Sequence, residues 1–114
     1  MENEDGDGCE SKGVEFLGDS KERLRNFPKT AMREAGYQID RVQHGLMPED
    51  FKPMGIIGSG AFEIRIKAEN GEFRVFYVAN RGEFIYILHC VNKKTKKAEK
   101  KDIDLAKERY RLLP

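Results

Sequence analysis

Residues 62–91 read FEIRIKAENGEFRVFYVANRGEFIYILHCV, and this stretch decides the fold. Its first part alternates apolar and charged residues with the period of two that is typical of a half-buried strand. The ENG and NRG segments are turn signals that divide the stretch into three strands. We therefore predict an antiparallel meander of three strands, or of four if residues 14–17 (VEFL) add another.

Helical patterns lie on both sides of these strands in the sequence. A short helix is expected over residues 19–26, and residues 28–45 place apolar side chains at helical spacing. A last helix can be capped by Asp102 or Asp104. The sequence thus predicts an α+β fold, in which a small antiparallel sheet of three to four strands carries two N-terminal helices and a C-terminal helix on one face.

The length and composition indicate one small domain. The chain has 114 residues, of which 39% are hydrophobic, enough for a single modest core. No apolar stretch approaches the roughly 18 residues that span a bilayer, and the N-terminus lacks a signal-peptide pattern. We therefore expect a cytoplasmic protein with no membrane contact. Neither of the two histidines has a second Cys or His at ligand spacing, so no metal or other cofactor is predicted.

The formal net charge of +1 hides a strong polarity along the chain. Residues 1–15 hold six acidic side chains and one lysine, whereas residues 93–111 hold nine basic and four acidic side chains. Residues 1–12 show no periodicity and no aromatic residue, which predicts a disordered acidic tail before a domain of residues 13–114. The basic excess indicates an anionic partner, although a lysine-rich loop can also be a solvated surface.

Turn positions predict which polar residues face each other in the sheet. If the AENG segment is the first turn, Lys67 faces Glu72 and Arg65 faces Arg74, with Glu63 diagonal to Arg74. Two arginines placed directly opposite each other are destabilising. Either a function requires this pair, or Glu63 holds the two guanidinium groups apart.

The second turn extends this alignment to the third strand. With Arg81 and Gly82 as the turn, Arg74 faces His89, so that Arg65, Arg74 and His89 form a row on one face. A slip of one residue would move His89 to the other face. The face opposite the row is expected to lie under the helices, and it carries Ile64, Ile66, Phe73, Val75, Tyr77, Phe84, Tyr86 and Leu88.

A row of two arginines and a histidine fits the cleavage of RNA. That reaction needs a base for the 2′-hydroxyl proton, cations for the phosphate and an acid for the leaving 5′-oxygen. Histidine, with a reference pKa of about 6.5, can act as base or acid, and guanidinium groups offer forked donors to phosphate oxygens. Structural roles are the alternative: His89 as a satisfied strand residue, and Arg74 paired with Glu63 or Glu72.

Two segments near the C-terminus, one beginning in the last predicted strand and one in the last predicted helix, resemble a known family. LHCVNKKTKK (residues 88–97) and DIDLAKERYR (residues 102–111), together with the preceding hairpin, resemble the RelE/HigB superfamily of type II toxin–antitoxin toxins. The closest likeness is to its phage-derived HigB-like branch, and it covers residues 14–113. The resemblance implies a RelE-like sheet whose concave side cleaves messenger RNA in the ribosomal A site.

The resemblance also implies roles for particular residues. Arg74 matches the arginine of the family's [FY]-R-[VI] strand, and Arg65 matches a basic position on the preceding strand. We take His89 as the general base and Glu63 as the alternative. The late Tyr110 lies in a helical stripe that indicates packing, so we assign it no catalytic role. The predicted catalytic residues are Arg65, Arg74, His89, Glu63 and Lys94, and the predicted RNA-binding residues are Lys67, Lys93, Lys96 and Lys97.

Together with the row of basic residues, the resemblance implies the toxin of a type II toxin–antitoxin module, acting as a metal-independent endoribonuclease on messenger RNA with the ribosome as partner. The resemblance further implies a small helix-turn-helix antitoxin as a second partner. The alternative is a non-catalytic binding module with a toxin-like fold, which poisons DNA gyrase or co-represses its own operon with the antitoxin. The resemblance implies that gyrase-poisoning members tend to lack the basic residues that this sequence has on the sheet, which favours RNA over gyrase as the target.

Overall fold

The computed structural model describes residues 11–68, 71–93 and 99–114. The predicted acidic tail, residues 1–12, lies outside this part of the chain except for its last two residues. Among the described helices, none is long and apolar enough to cross a bilayer.

Five strands and three helices make up the described fold. In chain order they are β1 (Gly13–Phe16), α1 (Ser20–Arg25), α2 (Lys29–Gln43), β2 (Phe51–Pro53), β3 (Ala61–Ala68), β4 (Gly71–Arg81), β5 (Phe84–Lys93) and α3 (Lys100–Tyr110). The strand order in the sheet is β1-β5-β4-β3-β2. β1 is parallel to β5, and the other pairs are antiparallel.

The α+β class and the three-stranded meander are as predicted, but the sheet is larger and is mixed. β2 lies in a segment rich in proline and glycine. With only three residues, this strand is too short to show a period of two in the sequence. β1 was foreseen as a possible fourth strand, yet its parallel pairing with β5 makes the sheet mixed rather than antiparallel.

The helices cover both faces of the sheet, so the prediction that they share one face is wrong. α1 and α2 bury Phe27, Ala31, Ala35, Ile39 and Val42 against one face. α3 buries Ala106 against the other face, where it contacts a second apolar cluster that includes Phe76, Val78 and Leu88. β4 is buried from Phe73 to Val78 without a break. A strand whose successive residues are buried on both faces is typical of a sheet that is covered on both sides.

The register of β3 and β4 is confirmed, and that of β4 and β5 is corrected. Arg65 lies opposite Arg74, as predicted. The β4–β5 ladder contains two irregularities, one in its middle and one beside the turn. As a result Phe76 lies opposite His89, and Arg74 lies opposite Val91. The predicted pairing of Arg74 with His89 is therefore wrong.

Because of these irregularities, the residues of β5 near the turn point to the opposite faces from those predicted. Ile85 and Ile87, rather than Phe84, Tyr86 and Leu88, belong to the core under α1 and α2. His89 nevertheless lies on the face that carries Arg74, because the extra residue in the middle of β5 reverses the alternation again.

The C-terminal half of α3 is fixed by Arg109 and Tyr110. Arg109 donates hydrogen bonds to the Leu88 carbonyl (2.9 Å) and to Asp19 (2.8 Å). The hydrogen bonds from Arg109 and Arg23 lower the pKa of Asp19 to about 2. The Tyr110 hydroxyl donates to the Ser59 carbonyl at 2.8 Å. Tyr110 therefore has the packing role that its helical stripe indicated.

Candidate functional site

Four charged side chains meet where β3 and β4 lie side by side, on the face that α3 covers in part. We call Glu63, Arg65, Glu72 and Arg74 the strand cluster. Glu63 lies 3.1 Å from Arg74 and accepts a hydrogen bond of 3.3 Å from Arg65 Nε. Arg74 also donates to Glu72 at 2.8 Å. Glu63 thus contacts both facing guanidinium groups, which is one of the two alternatives that the strand alignment left open.

The two arginines of this cluster differ sharply in exposure. The Arg74 side chain is 3% exposed and the Glu63 side chain 2%, so they form a buried ion pair. The Arg65 side chain is 36% exposed. Because its Nε is held by Glu63, the outer part of the guanidinium is oriented toward solvent by a rigid strand. Arg65 is therefore the arginine of the cluster that a phosphate can reach.

A shallow cavity lies beside this exposed guanidinium. It has a volume of about 180 Å³ and is bordered by Asp50, Arg65, Lys67, Glu72 and Arg74, with Ile66 at its wall. Lys67 is exposed and shares the face of Arg65, since the two residues are separated by one position on β3. The cavity can admit one anionic group between two cations, with carboxylates at its rim.

A second charged group lies beneath α3. We call His89, Lys93 and Asp102 the covered cluster. His89 Nε2 and Asp102 Oδ1 are 2.9 Å apart, and Lys93 Nζ donates to Asp102 Oδ2 at 3.4 Å. The His89 ring is stacked on Phe76, with the centroids 6.2 Å apart. His89 and Lys93 are 1% and 2% exposed, so neither side chain faces solvent.

Burial determines the protonation state of His89. Desolvation lowers the pKa of His89 below its ordinary value, and the bond to Asp102 opposes this effect only in part. The neutral ring with a proton on Nε2 donates to Asp102. Its Nδ1 is then an acceptor, and it has no hydrogen-bond partner among the described residues.

This burial predicts a loss of stability in mild acid. Because the folded-state pKa of His89 lies below the ordinary value of 6.5, the unfolded chain binds the proton more readily, and stability should fall as pH drops below 6.5. His89→Gln retains an amide donor for Asp102 but does not titrate. Urea unfolding at pH 7.5 and pH 5.5 should show a larger loss for the wild type than for this variant. Equal losses would contradict the assignment.

The structure brings together some of the predicted site residues and separates others. Arg65, Arg74, Glu63 and Lys67 converge on one face, as predicted. His89 lies on the same face but under α3. It is opposite Phe76 rather than Arg74, so it is not part of the strand cluster. Lys93, predicted to bind RNA, is instead buried against Asp102, because β5 continues to Lys93 and the start of α3 covers its end. The predicted Lys94, Lys96 and Lys97 lie outside the described residues.

Sequence reasoning missed the role of Asp102. Its position near the start of a helical pattern suggested a cap, but α3 begins at Lys100 and has Glu99 at its N-cap position. Asp102 is therefore inside the first turn, 5% exposed, and directed at the sheet. The available signal was that Asp102 lies one helical turn before the apolar Ala106. The helical pattern also follows a strand that contains His89 and ends at Lys93.

The fold and the strand cluster define a small α+β protein that presents the partly exposed Arg65 and the exposed Lys67 on one sheet face. The family model described as phage derived protein Gp49-like (DUF891) matches residues 22–111. The chain belongs to this phage-derived Gp49-like family, which is associated with RelE-like toxins. A comparison with curated proteins found no match.

Proposed function

We propose that the chain is the toxin of a type II toxin–antitoxin module and an endoribonuclease of the RelE/HigB kind, which cleaves messenger RNA on the ribosome. One observation carries the proposal: Arg65 is exposed on the sheet while a buried Glu63–Arg74 pair fixes its position. Family membership supports the toxin assignment. The cleavage chemistry is supported by the strand cluster.

In this proposal Arg65 binds the scissile phosphate. Its outer guanidinium nitrogens donate to non-bridging oxygens, and the negative charge that grows on the pentavalent phosphorus strengthens these bonds. Lys67 binds an adjacent phosphate of the same strand. Arg74 does not reach the substrate. It positions Glu63, which positions Arg65, so that no metal ion is needed to stabilise the phosphorane.

The proton acceptor is Glu63 or His89, and the geometry favours Glu63. The long 3.3 Å contact from Arg65 Nε leaves Glu63 Oε1 able to accept the 2′-hydroxyl proton, and a solvent water protonates the leaving 5′-oxygen. Arg74 continues to hold the other carboxylate oxygen. His89 lies beneath α3, and it acts only if this helix moves. Lys94, Lys96 and Lys97 follow β5 directly and are proposed as further contacts to the RNA.

The proposed antitoxin is a small helix-turn-helix protein that covers the strand cluster. Its contact surface should supply carboxylates, since this face carries the partly exposed Arg65 and the exposed Lys67. Such a partner would compete with RNA for the same guanidinium group. The cytoplasm is the expected location because messenger RNA and ribosomes are there.

One observation favours the alternative of a non-catalytic toxin. Both candidate bases, Glu63 and His89, are 1% exposed. A surface that binds its target through Arg65 and Lys67 without proton transfer would poison DNA gyrase or co-repress its own operon with the antitoxin. The two functions differ in whether RNA is cut.

The test is incubation of the purified protein with a defined messenger RNA and translating ribosomes in a magnesium-containing buffer. Cleavage by attack of the 2′-hydroxyl should leave a 2′,3′-cyclic phosphate on the upstream product and a 5′-hydroxyl on the downstream one. Intact RNA together with inhibition of gyrase supercoiling would replace the proposed function with the alternative.

A further inference from the structure

A second cationic surface lies on the other side of the sheet, on the outer side of the two N-terminal helices. We call Arg25, Lys29, Arg33 and Tyr37 the helix-pair surface. All four side chains are exposed, and Tyr37 keeps 50% of its accessible area. Lys29, Arg33 and Tyr37 recur every four residues along α2, so they lie on one side of this helix. Arg25 is the last residue of α1 and precedes the link to α2.

The three cations of this surface are not explained by the stability of the domain. None of them belongs to an ion pair within the part of the chain that the structure describes. The first turn of α2 has no acidic residue and contains Lys29. A cation at the N-terminal end of a helix opposes the helix dipole and weakens the helix. Lys29 is therefore not placed to stabilise α2, and the three exposed cations remain available to an anionic partner.

The surface reaches the end of the sheet that carries the strand cluster. Phe27, in the link between α1 and α2, contacts the Phe73 ring with centroids 4.8 Å apart. Thr30 borders a cavity of about 430 Å³ together with Arg65 and Lys67. Glu34, Glu49 and Asp50 border the same cavity. These carboxylates separate the two cationic surfaces, which makes the helix-pair surface a distinct site.

We propose that the helix-pair surface binds the phosphate backbone of double-helical RNA. Cations repeated at about 6 Å along a helix match a regular row of anions. The surface lies on the outer side of a helix pair and holds only one aromatic side chain, Tyr37, which suits a backbone rather than unstacked bases. Met32 and Tyr37 are the exposed large apolar residues of α2, too few to insert into a lipid surface. The choice of RNA over other polyanions rests on the proposed function.

Such a site would hold a folded RNA while the strand cluster acts on a neighbouring single strand. The two surfaces lie on opposite faces of the sheet, so one RNA can contact both only by passing around the edge of the sheet that β2 forms. The helix-pair surface would thereby select structured RNA as the context in which cleavage occurs.

The test measures binding of the full chain to a labelled RNA duplex of about 20 base pairs between 50 and 200 mM salt. Lys29→Ala/Arg33→Ala should weaken binding several-fold and reduce the salt slope by about 2, one for each lost phosphate contact. Lys107→Ala/Arg111→Ala removes the same charge from the far part of α3 and should bind like the wild type. Neither double variant should lower the Tm, which would show that folding is unaffected.

Equal binding by the Lys29/Arg33 pair variant and the wild type would overturn the inference. So would an equal loss in the control pair, or tighter binding of poly-glutamate than of the duplex, since the site would then take acidic protein. A wild type that binds the duplex with this charge dependence but cuts no RNA would support the inference while removing the proposed function. Cleavage that occurs without duplex binding would do the reverse.

Discussion

Replacement of Arg65 by alanine is expected to reduce RNA cleavage at least about 100-fold, because removal of one donor to the charge that develops in the transition state costs a factor of this size. The fold should remain intact. The Arg65 side chain is 36% exposed and gives up one long contact, 3.3 Å, to Glu63. The measurement is the rate of cleavage beside a urea unfolding curve, and growth inhibition on expression in a bacterial host should disappear in parallel.

Two variants make this result specific. Arg65→Lys keeps the charge but not the fork of donors, so it should recover only part of the activity. Arg111→Ala removes an equally charged and exposed residue from the end of α3 and should act like the wild type. Full cleavage by Arg65→Ala would show that the strand cluster is not the active site.

Replacement of Arg74 by alanine is expected to destabilise the protein by about 3–5 kcal/mol, because it leaves the Glu63 carboxylate buried without its main counter-charge. Both side chains are almost fully buried, at 3% and 2% exposure, so solvent cannot compensate. A loss of this size is a large part of the stability of a small domain. Urea denaturation of the wild type and the variant measures it.

The double variant Glu63→Leu/Arg74→Leu distinguishes two causes of lost stability. One is the unpaired charge that Arg74→Ala leaves buried on Glu63, and the other is the loss of the contact itself. Removing both charges and filling the space with apolar side chains should cost much less than Arg74→Ala alone. If Arg74→Ala unfolds at the same urea concentration as the wild type, the ion pair does not contribute as the structure indicates. Because Arg74→Ala changes stability, a loss of toxicity in this variant does not identify a catalytic group. Arg65 is the cleaner probe.

The part of the fold that follows from local patterns could be predicted. Strict alternation in FEIRIK and a short turn fixed the β3–β4 register, including the facing arginines. The β4–β5 register could not be obtained in this way, because two irregularities change the count of residues between turn and site. Bulges leave no pattern in a strand whose residues are apolar on both faces. The face on which α3 packs could not be predicted for the same reason. The central strands offer apolar side chains on both faces of the sheet, so either face could have received the helix.

The site was predictable where it depends on the hairpin and not where it depends on α3. Glu63, Arg65 and Arg74 meet as the strand alignment required. The burial of His89 and Lys93 required knowing that α3 crosses their face. A histidine and a lysine near a strand end have the same pattern whether solvent or Asp102 contacts them.

The most direct test of the central claim is primer extension on a defined messenger RNA, with and without translating ribosomes. Wild type, Arg65→Ala and Arg111→Ala would be compared at equal amounts of folded protein. We predict discrete cuts with the wild type and with Arg111→Ala when ribosomes are present, and none with Arg65→Ala. Absence of cuts with folded wild-type protein under both conditions would contradict the assignment of an endoribonuclease.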